Sequence, residues 1–201
     1  MRRTRDPKYC RVIIICHGKS EKILFSKLKS LLKLPIKVVA NDNGNSSIKI
    51  QGIRSYLNRE EFKSKENFCK CYFQEDYSYL RKQDKEHDFE SLLSKLKIFF
   101  IMDIDDATVD QATRYKNGEY FKPKWLKSCY IPIYNDPDLE KTISNIGYNT
   151  PNTKHEKVTF YQKLWMNELE SEHDIKELQK KLANCKSTNM DEVILYLLKL
   201  R

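Results

Sequence analysis

Three carboxylates fall within four positions at Asp103-Ile104-Asp105-Asp106, directly after the apolar run Ile98-Phe99-Phe100-Ile101-Met102. A run of that length, rich in aromatic and β-branched residues, reads as a strand covered on both faces, as in a parallel sheet. Side chains alternate along a strand, so Asp103 and Asp105 are expected on one side at its carboxyl end, where open α/β sheets take their ligands. Carboxylates this close repel each other unless a cation lies between them, and oxygen donors suit a hard divalent ion. The plainer alternative is that the strand ends there and an aspartate caps the next helix.

A second group, His17-Gly18-Lys19-Ser20-Glu21, follows another apolar run, Arg11-Val12-Ile13-Ile14-Ile15-Cys16. Gly18 permits a tight strand-to-helix turn and aims the helix N-terminus at the strand's end, a corner suited to a phosphate or a metal. The spacing is not that of a P-loop. Lys19 is placed to contact a phosphate there, although an exposed lysine in a basic protein needs no such role. In a third group, Asn135-Asp136-Pro137-Asp138-Leu139-Glu140, Asp136 is the expected N-cap and Pro137 the first helical residue.

These groups need strands at 11–16, 36–40, 97–103 and 129–134 to hold them, with helices between. Leu24, Phe25, Leu28, Leu31 and Leu32 recur at helical spacing before Pro35. Further helices are expected over 48–57, 88–96 and 107–116, the last ending near Gly118. Strand–helix alternation implies right-handed crossovers and an α/β fold with a mainly parallel, four-stranded sheet flanked by helices. Pro132 argues for an edge position for the last strand. A charged excursion at about 58–87 carries Phe68, Tyr72, Phe73, Tyr77 and Tyr79, rings that either stack on bases or pack on the core. In the tail, Thr153 with Glu156, Ser171 with Asp174 and Thr188 with Asp191 have capping-box spacing. The chain therefore divides into an α/β unit over 1–150 and a C-terminal helical extension over 151–201.

The 201 residues carry a net charge of +9, with 32% charged, 40% hydrophobic and 11% aromatic residues, a composition too apolar for a disordered chain. Lys and Arg are spread along its length, a field that suits nucleic acid, DNA or RNA, as partner, although solubility alone also favours a lysine-rich surface. No stretch is long and apolar enough for a bilayer, and Met1-Arg2-Arg3-Thr4-Arg5 lacks a secretion signal's apolar core, so a cytoplasmic location and no membrane are expected. The six cysteines match no zinc module; Cys69 and Cys71 form the only close pair, and reduced, mostly buried thiols are expected.

Taken in order, a strand into His17-Gly18-Lys19-Ser20-Glu21, a strand into Asp103-Ile104-Asp105-Asp106 and a strand into Asn135-Asp136-Pro137-Asp138-Leu139-Glu140 resemble the Toprim domain over residues 11 to about 147. That domain is shared by topoisomerases, bacterial primases, an RNA-maturation nuclease and the overcoming-lysogenization-defect and RloB-like proteins of phage defence. The resemblance is nearest to the small defence type, whose Asn-Pro-x-Phe-Glu segment is similar to the third group. It implies a metal-dependent nuclease acting on phosphodiesters with Mg²⁺ or Mn²⁺ held by Asp103 and Asp105. Asp106 and Glu140 would be further metal partners, and Glu21 would match the Thr-Glu or Ser-Glu of defence-type members. Toprim proteins usually end the first strand in Glu before the Gly; here that position is His17. An imidazole there serves as proton shuttle or as a ligand favouring Mn²⁺, or else the chain has lost catalysis and is a binding module for nucleic acid or a partner protein.

Overall fold

Four parallel strands, β1 (Val12–Cys16), β2 (Lys37–Ala40), β3 (Lys97–Asp103) and β4 (Tyr130–Asn135), form one sheet in the order β2-β1-β3-β4. The computed structural model describes residues 12–74, 77–78, 93, 95–151, 153 and 156–200. Every residue of β1 is buried, as are the six from Ile98 to Asp103, which is why these strands read as unbroken apolar runs. Pro132 lies in β4 at the sheet's edge. Its missing N–H leaves no ladder bond unmade there, and Asn189 takes part in covering that edge by accepting from Tyr134 N at 2.9 Å and donating to the Pro132 carbonyl at 3.2 Å.

Helices cover both faces. On one lies α1 (Lys19–Leu32), with Leu24, Phe25 and Leu28 packed against Val12, Ile14 and Phe99. The other is covered by a 3₁₀ turn (Ile50–Gly52), α2 (Ile53–Leu57), α3 (Glu60–Lys63), α4 (Lys65–Tyr72) and α5 (Val109–Lys116). The faces alternate because the chain winds one way from β1 to β2 and the opposite way from β2 to β3, and each crossover must stay right-handed. Tyr115 of α5 is fully buried and points its hydroxyl at the carbonyls of Phe100 and Ile133, tying that helix to two strands.

Then α6 (Leu139–Asn145), α7 (Lys157–Glu168), α8 (Glu172–Ala183) and α9 (Met190–Lys199) return to the α1 face. Tyr161, Trp165, Leu178 and Val193 share one core with β1 and β3. The C-terminal helices are thus part of the α/β core's own packing. Burying each such side chain contributes about 1.5–3 kcal/mol.

Several expectations are corrected. No helix runs over 48–57 as a whole: Ile48 donates its N–H to the His17 carbonyl at 3.0 Å and accepts from His17 Nδ1 at 2.9 Å, so helix begins only after it. Asp136 is not an N-cap. Its N–H is taken by the Ser187 carbonyl at 2.7 Å, the Pro137 carbonyl accepts from Ile104, and Asp138 caps α6 instead through Lys141 N at 2.7 Å. Of the three tail patterns, Ser171 with Asp174 is a true capping box. Glu156 precedes α7 and Asn189 precedes α9. In the 58–87 excursion, Phe68, Tyr72, Phe73 and Tyr77 are core residues rather than a stacking surface. Tyr79 and most of the helix expected over 88–96 fall outside the described residues, although Leu93 and Leu96 are described and buried. Among the described residues no helix is long and apolar enough to cross a membrane, and Cys69 is a buried free thiol while Cys71 is exposed.

Candidate functional site

The winding direction reverses between β1 and β3, and the crevice beyond their carboxyl ends is where an open α/β sheet presents a ligand site. His17 follows β1 and Asp103 ends β3 at this point. His17 Nε2 faces Asp103 Oδ2 at 3.8 Å, too long for a hydrogen bond and short enough for one small ligand atom or ion to engage both. The imidazole is oriented by its other nitrogen. With the Ile48 carbonyl at 2.9 Å able only to accept, Nδ1 carries a proton, and Nε2 is the nitrogen left facing the carboxylate.

Asp103 is 7% exposed, and its Oδ1 accepts a hydrogen bond from Asn135 Nδ2 at 3.0 Å. Burial first, and then the charge of Glu21, push its carboxyl up to about 8; His17 and the Asn135 hydrogen bond pull the other way. Glu21, 2% exposed on the first turn of α1, is pushed up to about 7 by burial, against the pull of its hydrogen bond from Gly18 N at 3.0 Å; Glu140 raises it further and Lys157 lowers it. Two acids held above their ordinary range in one crevice make a place that gains from an incoming cation.

Gly18 is less special than its position suggested: its φ of −148° is extended backbone, and a Cβ would meet Ser47 Oγ at an ordinary 3.5 Å. The glycine that matters sits across the crevice. Gly44, at φ +92°, brings its loop so close to α1 that a Cβ would come 2.8 Å from Lys19 Cα. Lys19 itself is exposed at the first position of α1.

The other acids form no metal-holding group with the His17–Asp103 pair among the described residues, although Glu140 is near enough to help raise Asp103. β3 ends at Asp103, so strand alternation does not reach Asp105, which is exposed in a turn. Asp106 lies beside Lys49, with its Oδ2 3.6 Å from Nζ, while its Oδ1 is buried without a hydrogen-bond partner. Glu140, on the first turn of α6, is held by Lys157 Nζ at 3.0 Å and Tyr161 Oη at 3.2 Å, both from α7. Among the described residues no group of three His, Cys, Asp or Glu side chains is arranged to hold a metal. A facing imidazole and carboxylate therefore do not suit a closed protein cage such as a structural zinc site. They do fit an ion that fills most of its positions with water and substrate oxygens, as Mg²⁺ and Mn²⁺ do.

Sequence reasoning missed Asn135, Thr188, Lys157 and Tyr161. Asn135 had a usable signal, since it follows an apolar strand and pairs in register with Asp103; the other three lie in the tail and carry none. Fold and site together define an α/β protein with an imidazole–carboxylate pair at the switch point of a parallel sheet. In comparisons with family models, curated proteins and solved structures, nothing matches the chain.

Proposed function

We propose that the chain is a divalent-metal-dependent nuclease of the Toprim type, cleaving nucleic-acid phosphodiesters in the cytoplasm as an effector of phage defence. One observation carries the proposal: His17 Nε2 and Asp103 Oδ2 face each other at 3.8 Å where the sheet's winding reverses. The resemblance of residues 11 to about 147 supplies the reaction class, and the net charge of +9 supplies long-range attraction for a polyanion.

His17 and Asp103 would hold Mg²⁺ or Mn²⁺, which when bound polarises a phosphate oxygen and makes a metal-bound water acidic enough to attack at neutral pH. Asp103, whose carboxyl is raised without a cation, would release its proton to solvent on binding one and so hold it as a carboxylate. His17, fixed by Ile48, keeps Nε2 available as ligand or as acceptor of the attacking water's proton. Lys19 and the free N–H groups of the first turn of α1 favour a phosphate at the mouth of the crevice. Asp105, exposed in the turn after β3, would act on the ion only through solvent.

A second reading, a non-catalytic module that binds nucleic acid or a partner protein, is favoured by the lack of a three-ligand group among the described residues. Divalent-metal dependence separates the two. The protein is incubated with single- and double-stranded DNA and RNA in Mg²⁺, Mn²⁺ or EDTA. Cleavage only with metal supports the nuclease, whereas retention of nucleic acid in EDTA with no cleavage under any condition selects the binding module.

A further inference from the structure

Asn135 is fully buried at the carboxyl end of β4, opposite Asp103 in the register, and every polar atom of its side chain faces a partner that fixes which way it points. Its Nδ2 donates to Asp103 Oδ1 at 3.0 Å, and its Oδ1 accepts from the Thr188 hydroxyl at 3.0 Å. Thr188 is itself held in place: its single hydroxyl hydrogen lies between two acceptors, the Tyr134 carbonyl at 2.7 Å and Asn135 Oδ1, and its Oγ1 accepts from Met190 N at 3.1 Å. Two further main-chain bonds keep this segment on the strand end, Asp136 N to the Ser187 carbonyl at 2.7 Å and the bridge between Asn135 and Thr188. Turning the amide over would set its oxygen against an Asp103 oxygen, a contact that only the protonated acid can make, whereas the observed orientation also serves the ionised carboxylate. Only this orientation gives the ionised Asp103 a donor from Asn135.

We propose that Asn135 is a positioning residue for Asp103, and that Thr188, delivered by the C-terminal segment 53 residues further on, sets its orientation, so that the tail takes part in building the site. Asn135 holds one oxygen of the carboxylate and leaves the other, Oδ2, directed at His17 Nε2. Partners of this kind behind a ligating group typically govern metal affinity by 10–100-fold. The reading rests on the proposed function only where it concerns metal; the geometry of the carboxylate stands apart from it.

The test therefore reads the carboxylate directly. In the parent protein, free of metal, the Asp103 carboxyl carbon and the Asn135 side-chain amide are followed by NMR across pH 5–10. Thr188→Val, which keeps the shape and removes the hydroxyl, and Asn135→Leu should each move the Asp103 midpoint upward. Thr188→Ser should restore the parent midpoint. Mn²⁺ binding, measured by calorimetry on the same proteins, should weaken about tenfold or more in the first two and recover in the third. A folded Thr188→Val protein with the parent's midpoint overturns the positioning role. Failure of the parent to bind Mn²⁺ overturns the metal part of the proposal and the proposed function together, while the NMR midpoints still decide the positioning.

Discussion

Replacing Asp103 by asparagine should stabilise the metal-free protein by an amount that grows as pH rises from about 5 to above about 8. The unfolded chain carries an ordinary aspartate near 3.8, whereas the folded crevice pushes this carboxyl up to about 8. Between those values the folded state holds a proton that the unfolded state has released, so stability falls as pH rises from about 4 to about 8 and levels off above. The full difference is on the order of 5 kcal/mol. Part of that difference is the charge of Glu21, which shares the crevice and titrates over the same range, and a gain of at least about 2 kcal/mol at pH 8.5 is expected. Asparagine mimics the protonated acid: its oxygen can still accept from Asn135, and its uncharged amide nitrogen takes the place of Oδ2 facing His17. Urea unfolding of parent and variant in EDTA, at pH steps from 5 to 9, measures the difference directly. A variant no more stable at pH 8.5 than the parent, or a difference that does not grow with pH, would refute a desolvated, repelled carboxylate at this position. The same variant should lose metal-dependent cleavage.

Association with nucleic acid should weaken at least about tenfold between 50 and 200 mM salt, as expected if two or more phosphates are neutralised; a flat dependence in a filter-binding titration would point to another kind of partner. His17→Glu should shift the preference of cleavage from Mn²⁺ toward Mg²⁺, because a carboxylate adds charge and hard oxygen where the imidazole adds neither, and His17→Ala should remove most of the activity. Equal rates for all three proteins in both metals would leave His17 as a mere turn residue. Gly44→Ala should destabilise the fold by about 2–3 kcal/mol, since alanine resists positive φ and its Cβ would press on the backbone of Lys19; thermal melting checks this, and an unchanged midpoint would show that the loop can move away from α1.

Strands β1 and β3 were legible in the sequence because strands buried on both faces need unbroken apolar runs, and nothing else in the chain has that density of Ile, Phe and Val. α1 was legible for a related reason, its leucines recurring with the period of a helix. The positions of His17 and Asp103 followed from these, since a residue directly after a buried strand must lie at its carboxyl end. What the sequence could not determine was which neighbours meet there. Strand period placed Asp105 beside Asp103, but the Ile104 N–H is drawn to the carbonyls of Asn135 and Pro137, the strand stops, and Asp105 turns outward to solvent. Glu140 was expected near the metal, and only the packing of α7 decides that Lys157 and Tyr161 hold it. Thr188 reads locally as a helix cap, yet its hydroxyl is used 53 residues back along the chain, on Asn135. Local period and composition act within a few residues and are written in the sequence. Hydrogen bonds between a strand end and a distant tail depend on how the elements pack, and exist only once the core has brought them together.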